Sequence, residues 1–417
     1  MENKGKEVMI VRTPDAKVNR RSRFTLKDIS LVDMRSYTIV LAMLVLWIIL
    51  NFLSDGAFFT PRNLSNLFRQ GSVVAFIAVG MVLVIAAGQI DLSAGALAGL
   101  SGAMAAMMQV RWLPALAERT GWQFIASGWP VAIISLLVAV AFGLALGCVQ
   151  GLCVAYGNVP AFIVTLGGSL VFRGWLLGLT RGVNIAPMDP KFQILGQAYL
   201  SPTTGLWLGL LAVLAIVAFR VYSRSNKQRH GFPVKPIWLE GLGTVAMCFL
   251  VILFVTKMNQ FRGIPVPVIL LLIMAGIFTF VANRTQFGRH VYAIGGNIEA
   301  ARLSGINIKK NMLRIFMVVG AMSGLSGAVL TSRLNVATAN AGNQFELNAI
   351  AACVIGGTSL AGGEGSIPMA LIGALIMASV DNGMSLMNVE TFWQQIIKGI
   401  ILVAAVLIDV NSRRSQD

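Results

Sequence analysis

The sequence predicts an all-α protein that crosses a lipid bilayer about ten to twelve times, with some of its helices broken. Of its 417 residues, 56% are hydrophobic and only 12% are charged, whereas a soluble domain has about 25% charged residues. Apolar runs of about 18 to 20 residues recur along the chain, and a helix of that length spans the hydrocarbon core. Composition therefore excludes an ordinary soluble domain and indicates a polytopic membrane protein.

Twelve apolar segments account for these crossings. They are residues 38–54, 71–87, 92–110, 131–156, 160–179, 206–219, 240–256, 265–282, 313–331, 347–360, 367–384 and 392–408. Residues 1–36 mix basic and acidic side chains without an apolar stretch, so we expect a cytoplasmic arm there. Residues 37–417 then form one transmembrane domain, with basic cytoplasmic loops at 221–239 and 284–312.

Positive charge is concentrated in alternate loops. Twenty-two of the 33 lysines and arginines lie before the first apolar run or within residues 220–235, 284–314 and 413–414. Loops rich in lysine and arginine stay on the cytoplasmic side of a membrane, so both termini are predicted to be cytoplasmic. The net charge of +16 is thus explained by membrane orientation, and we expect no nucleic-acid partner.

A weak internal repeat is also visible. Residues 84–102 and residues 354–373 each contain a run of valine and isoleucine, a glycine-rich break with a serine, and a stretch of small residues. Internal repeats with broken helices occur in many polytopic membrane proteins. The breaks indicate that some segments enter the membrane without crossing it as one helix.

The loop at 284–312 contains a short helix with both ends marked. Asn297 is a suitable N-cap, and Glu299 in the first turn is favoured by the helix dipole. Arg302 follows on the same face, and Gly305 after Ser304 is a typical C-terminal residue. A helix of about two turns is not stable alone, so we expect it to dock on a partner.

Five stretches carry a resemblance to a known family. They are GQIDLSAG at 88–95, VPAFIVTL at 159–166, RGIP at 262–265, GGNIEAARLSG at 295–305 and IAACVIGGTSLAGG at 350–363. Together they resemble the permease subunits of bacterial sugar ABC importers, the ribose/xylose permease family. The resemblance runs from about Asn63 to the C-terminus and is weakest across 203–259.

The resemblance implies a multi-pass permease subunit in the bacterial inner membrane. The implied cargo is a monosaccharide, D-xylose or a related pentose or hexose. Energy would come from ATP hydrolysed by a separate cytoplasmic ATP-binding subunit, and a periplasmic sugar-binding protein would deliver the sugar. The other implied partners are a second permease copy, forming a homodimer, and membrane lipids.

The resemblance also makes the short helix an ATPase-coupling loop. Its residues are Gly295, Gly296, Asn297, Glu299, Ala300, Ala301, Arg302, Leu303, Ser304 and Gly305. A short, capped helix transmits a push from a partner better than a flexible loop does. A simple connecting loop is the alternative.

Polar residues at the breaks are candidates for the sugar path or for holding the break. They are Gln89, Asp91, Ser93, Gly95, Gly357, Thr358 and Asn382. Asp91 or Ser93 can cap the helix that follows, and a carboxylate at membrane depth needs partners or a wet cavity. Sugar contact and helix packing both remain open for these residues.

Two basic residues lie inside apolar runs. Arg173 is near the end of its run, so we expect its side chain to extend to the membrane surface. Lys398 either does the same or pairs with Glu346 or Asp381.

Enzyme chemistry is not indicated. The sequence has no Gly-x-x-x-x-Gly-Lys-Ser/Thr phosphate loop, so we expect no ATPase activity in this chain. Its two histidines, His230 and His290, lie in basic loops, and we predict no catalytic residue, no metal site and no bound cofactor. Two alternatives stay open: an ion-coupled secondary sugar transporter, for which Asp91 is the one clear membrane carboxylate, and a structural membrane subunit.

Overall fold

The computed structural model describes residues 31–414 apart from residues 232, 233, 235 and 236. Residues 1–30, most of the predicted N-terminal arm, lie outside the described residues. Within the described range every regular element is helical, and the β-bridges are two isolated ones, Ile185 with Ala337 and Tyr199 with Pro265. The all-α prediction is confirmed.

The helices follow one another with short connections. In chain order they are α1 (Leu31–Leu53), α2 (Pro61–Ala86), α3 (Ala94–Met107), α4 (Leu113–Thr120), α5 (Gly128–Ala155), α6 (Ala161–Thr180), α7 (Pro190–Gln197), α8 (Pro202–Arg229), α9 (Ile237–Asn259), α10 (Val266–Arg284), α11 (Gln286–Gly296), α12 (Ile298–Leu303), α13 (Ile308–Leu334), α14 (Phe345–Ile355), α15 (Ile367–Leu386) and α16 (Thr391–Arg414). A π-helical turn, Met108–Trp112, joins α3 to α4. Because α1 begins at Leu31, the first helix starts earlier than the predicted end of the arm.

Each predicted apolar segment overlaps a helix, although the one at 347–360 extends past the end of α14 into a loop. Among the described residues, α2, α5, α6, α8, α9, α10, α13 and α15 are long and apolar enough to cross a bilayer. Three apolar helices are shorter: Thr38–Leu53 in α1, Phe345–Ile355 in α14, and Thr391–Leu407 in α16. The predicted third span contains α3, with only 14 residues. The prediction of a polytopic protein with broken helices is confirmed.

Two long antiparallel helices, α2 and α13, form the centre of the molecule. The hydroxyl of Ser326 in α13 donates to the carbonyl of Val73 in α2 at 2.7 Å, and Gly80 in α2 lies against Val319 in α13. Residue numbers therefore rise in opposite directions along the two helices. Both are mostly buried, whereas α8 and α9 are mostly exposed, as expected of helices that border lipid.

Two units of the fold repeat with opposite direction. In one, α2 is followed by a break at 87–93 and the short α3. In the other, α13 is followed by a break at 335–344 and the short α14. The packing partners match as well, because α13 lies against α3 and α5 while α2 lies against α14 and α15. This is an inverted repeat of the kind found in transporters.

The repeat predicted from the sequence does not correspond to these two units. It matches the end of α2 with the end of α14, whereas the inverted units match α2 with α13. After α2, the N–H of Gly88 donates to Ile85 and that of Gln89 to Val84; after α14, Gly357 and Thr358 bond back in the same way. Both glycines have positive φ, +73° and +85°, which is the left-handed end of a Schellman turn. The sequence likeness between 84–102 and 354–373 thus reflects one shared helix ending.

The molecule has two ends that we name by charge. The end where α2 stops and α13 starts carries α11, α12 and the basic residues at 284–314, and we call it the basic end. The other, where α2 starts and α13 stops, is the opposite end. The α8–α9 hairpin spans both, because Gly205 meets Asn259 at the opposite end and Arg224 forms an ion pair with Glu240 toward the basic end.

Candidate functional site

The short helix predicted in the loop at 284–312 is present as α12. The side chain of Asn297 accepts a hydrogen bond from the backbone N–H of Ala300 at 2.9 Å. At the other end Gly305 has φ +80°, and the N–H of Ile306 donates to the carbonyl of Ala301 at 3.1 Å. Both predicted ends are confirmed.

One face of α12 is buried and the other is free. Ala301 is 4% exposed and faces the molecule, whereas Leu303 is 88% exposed. Glu299 and Arg302 approach to 3.4 Å on the outer surface, as their spacing predicts. The outer face of α12 therefore presents one apolar and two charged side chains to the surroundings.

The helix before α12 anchors this surface to the core. A Cβ atom on Gly295 would overlap the carbonyl oxygen of Ala86, the last residue of α2. The same carbonyl accepts a hydrogen bond from the N–H of Gly363 at 2.9 Å. Three segments therefore meet backbone to backbone: the end of α2, the end of α11 and the loop at 356–366.

Tyr292 adds a side-chain hydrogen bond to the contact between α11 and the loop at 356–366. Its hydroxyl donates to the carbonyl of Gly365 at 3.0 Å. Burial raises the pKa of Tyr292 above its ordinary value, so the hydroxyl remains a donor across the neutral range. The loop at 356–366 is thus bonded to α11 as well as to α2.

A groove at the basic end links α12 to the first break. It has a volume of about 510 Å³ and runs between α12, the start of α13 and the turn joining α5 to α6. Gln89 and Arg302 both line it, and the ammonium group of Lys309 lies 5.5 Å from the ring of Tyr156 at its rim. A residue of α12 and a residue of the first break therefore share one surface.

The first break is held by a buried polar network. Asp91 Oδ1 accepts hydrogen bonds from the backbone N–H of Ser93 at 2.7 Å and from its hydroxyl at 2.6 Å. Gln150 of α5 donates to the same hydroxyl at 2.8 Å, and Thr165 of α6 donates to the carbonyl of Ile90 at 3.3 Å. Asp91 and Ser93 are fully buried. Asp91 therefore holds the turn before α3, which favours the alternative that these residues hold the break, and the Ser93 side chain makes no cap bond of its own.

The starts of the two short helices meet in the interior. Gly95 in α3 packs directly on the carboxylate of Glu346 in α14. Glu346 forms an ion pair with Arg173 of α6, with 3.9 Å between Oε1 and Nη2. This pair gives Arg173 a partner that the sequence analysis did not name, and the expectation that its side chain extends to the membrane surface stays a prediction.

Lys398 has the partner that one of the sequence alternatives named. Its Nζ lies 3.2 Å from Oδ1 of Asp381, so α15 and α16 are joined by an ion pair. Glu346, the other candidate, is taken by Arg173.

The remaining path candidates do not form one group. Thr358 is fully buried and packs on Gly365 at the basic end, where Ala361 lies near Gly88. Asn382 lies near the start of α2 and exchanges two hydrogen bonds with Asn63, at 2.8 and 2.9 Å. At 1.5 Å per residue, about 39 Å separate that level of α2 from Gln89.

The paired amides predict a stability role for Asn382. Replacing it with leucine leaves Oδ1 of the buried Asn63 amide without a donor, although the NH2 group still donates to the carbonyl of Phe58 at 3.0 Å. We expect a loss of about 1 to 3 kcal/mol in the free energy of unfolding. Leucine at both positions should recover only part of that loss, because the unpaired amide is removed but the carbonyl of Phe58 loses its donor. Thermal melting of the purified variants measures this. Normal stability of Asn382→Leu with lost transport would instead favour the sugar path.

Several contributors to the site were missed by the sequence reasoning. Gln150 and Tyr292 drew no attention, although a glutamine inside an apolar run is itself a usable signal. Among the described residues no group of three or more His, Cys, Asp or Glu could hold a metal ion.

Known proteins similar to this chain are transport permeases. The family model "Branched-chain amino acid transport system / permease component" matches residues 63–406. Over 384 residues the chain is 43% identical to the xylose transport system permease protein of Escherichia coli (strain K12), covering 92% of this chain and 93% of that protein. The ribose import permease protein of the same organism is 34% identical over 371 residues, covering 89% of this chain and 92% of that protein.

A second xylose transport system permease protein, from Haemophilus influenzae, is 43% identical over 383 residues, with 92% of this chain and 98% of that protein covered. No solved structure matches the chain. The family match begins near the start of α2 and ends in α16, so it includes both inverted units and α12. The chain is a multi-pass membrane protein that belongs to the branched-chain amino acid transport system / permease component family.

Proposed function

We propose that this chain is the permease subunit of a sugar ABC importer and that its cargo is D-xylose or a related monosaccharide. The family match and the identity to xylose and ribose permeases support this assignment. The observation that carries the mechanism is the docked α12, whose free face is exposed and whose buried side is joined by backbone contacts to the end of α2. A separate ATP-binding chain supplies the energy.

The basic end faces the cytoplasm in this proposal. Positively charged loops are retained on that side, and the basic end carries Arg284, Arg289, Lys309 and Lys310. The ATP-binding subunit then meets Leu303, the Glu299–Arg302 surface and the groove beside them. A push on α12 is transmitted through α11 to the end of α2 and to the loop at 356–366.

At the opposite end, loops held together by backbone pairing suit the sugar-binding protein. Ile185 and Ala337 exchange two hydrogen bonds of 3.0 Å, and the N–H of Leu200 donates to Ile264 at 2.8 Å. These contacts tie the loop before α7 to the one after α13, and the loop before α8 to the one before α10. A partner that binds here reaches the break at 335–344 and thereby α14.

A second copy is proposed to cover the face formed by α6, α14 and α16. The ion pairs Arg173–Glu346 and Lys398–Asp381 lie on these helices and on α15. A cavity of about 80 Å³ nearby has the polar side chains of Gln344, Asn348 and Gln395 in its lining, beside apolar residues. Polar groups are costly against lipid, and α6 and α16 contact the short helices of the two inverted units. A two-fold pair of chains encloses this face and a path for sugar.

Glu299→Arg tests the proposed function. The substitution reverses a charge on the free face of α12 and leaves the fold intact, because an exposed pair at this spacing contributes roughly 0.3 to 0.5 kcal/mol. We expect labelled xylose uptake to fall at least fivefold, since like charges at an interface cost about 1 kcal/mol or more. The ATP-binding chain should no longer co-purify, while the membrane level of the permease stays normal.

Lys227→Glu is the matched control, because Lys227 is also exposed and lies near the basic end of α8, away from α12. It should transport normally. Undiminished uptake in Glu299→Arg would mean that α12 is only a connection between helices. The ion-coupled transporter would then again be a candidate function.

A further inference from the structure

An apolar cleft separates the α8–α9 hairpin from the core. Its volume is about 410 Å³, and it opens between α8 and α9 on one side and α2, α10 and α15 on the other. Its lining is almost entirely aliphatic and aromatic, with Phe68, Ala212, Phe254 and Leu272 among the residues. The hydroxyl of Ser72, the one polar side chain in the lining, donates to the carbonyl of Arg69 at 2.8 Å.

The depth of the cleft limits what can fill it. It runs along α2 from Phe68 to Ala75, about 10 Å at the helical rise of 1.5 Å per residue. All five helices that line it are among those long and apolar enough to cross a bilayer. A gap at this depth borders hydrocarbon and not water, and an acyl chain is the apolar group that surrounds the protein there.

Two arginines lie close to lining residues at the end of the cleft nearer the opposite end of the molecule. Arg69 follows the lining residue Phe68 directly, and Arg262 lies two residues before the lining residue Ile264. Both guanidinium groups lie 5.9 Å from the ring of Tyr199. Among the described residues, no carboxylate lies within ion-pair distance of either arginine.

The bonding of Arg69 is incomplete as well. Its Nη2 donates to Asn66 Oδ1 at 2.9 Å, while its buried Nε has no hydrogen-bond partner within the described part of the chain. Two arginines on one aromatic ring, without a carboxylate, form a suitable site for a phosphate group.

We propose that this cleft binds one anionic phospholipid, with an acyl chain between the α8–α9 hairpin and the core and the phosphate at Arg69 and Arg262. The lipid belongs to the leaflet at the opposite end. It fills a gap that side chains leave open and so holds the hairpin, which contacts the rest of the fold mainly through α9 on α2.

Native mass spectrometry of the full chain in mild detergent tests the apolar half of the site. We expect the wild-type protein to retain one phospholipid and Ala212→Phe to lose it, because the ring occupies the cleft. Ala215→Phe is the control, since Ala215 is exposed on the same helix and does not line the cleft. The proposal is overturned if Ala212→Phe retains the phospholipid, or if both variants lose it equally.

The charged half is tested by titrating delipidated protein with phosphatidylglycerol and with phosphatidylcholine of the same acyl chains. Wild type should bind phosphatidylglycerol more than about tenfold tighter, because two basic residues near a membrane surface each contribute about fivefold. Arg69→Gln and Arg262→Gln should each lower that affinity about fivefold for the same reason. Arg119 is an exposed arginine away from the cleft, so Arg119→Gln should leave the affinity for phosphatidylglycerol unchanged.

The arginine variants also cover the case in which Ala212→Phe does not fold, because Arg262 is exposed. No preference for phosphatidylglycerol overturns the proposal. The proposal is also overturned if Ala212→Phe loses a dimer and keeps its lipid, because the cleft would then be occupied by a second copy of the chain.

Discussion

Replacing Gly295 with valine is expected to reduce sugar uptake to less than about a tenth and to destabilise the protein by about 3 kcal/mol or more. A Cβ at this position overlaps the carbonyl of Ala86 and comes close to the N–H of Gly363. Neither neighbour is the flexible end of a side chain, so the backbone of α2, of α11 or of the loop at 356–366 has to move. The hydrogen bond between Gly363 and Ala86 is then lost.

Gly276→Val is the matched control. This glycine lies in α10, outside the coupling loop, and is exposed, and a Cβ added to it would have no neighbouring atom within 4 Å. Valine there should therefore transport nearly normally. Uptake of labelled xylose, membrane levels and melting temperature separate a folding defect from a coupling defect. Equal behaviour of the two variants would mean that the contact with α2 does not carry the coupling.

Breaking the Asp381–Lys398 ion pair should cost about 2 to 3 kcal/mol in folding stability, because one charge is then left unpaired in an apolar helix. Asp381→Leu and Lys398→Leu each create such a charge. The reversed pair, Asp381→Lys with Lys398→Asp, should restore most of the stability, since the 3.2 Å contact is rebuilt with opposite polarity.

Melting temperatures of the two single variants and of the reversed pair test this expectation. The exposed pair Glu299–Arg302 provides the comparison, because its single substitutions should leave the melting temperature unchanged. If the reversed pair is as unstable as the single variants, the two side chains are held by other neighbours and not by each other.

Local signals made α12 predictable. Asn297, Glu299 and Gly305 mark the ends of a short helix through capping and dipole preferences that act over three or four residues. The apolar segments were predictable for a similar reason, since hydrocarbon thickness alone determines the length of a span. The break at 88–95 was recognised from its polar residues.

Contacts between distant residues were not predictable in the same way. The pair Arg173–Glu346 joins side chains that are far apart along the chain, and the sequence showed only a basic residue near the end of an apolar run. The second break, at 335–344, has no local signal in the sequence, because nothing in its residues shows that the connection leads into the interior of the protein. Asn382 was a path candidate for a related reason, since its partner Asn63 lies 319 positions away.

The inverted arrangement of the two breaks has a further consequence. The break at 87–93 starts from the basic end, where α11 packs against the end of α2 and the loop at 356–366. The break at 335–344 starts from the opposite end, where Ile185 and Ala337 are hydrogen-bonded. Their helices begin side by side, with Gly95 on Glu346. Displacements that start at the two ends of the molecule therefore meet at one place in the interior, each having passed through its own break.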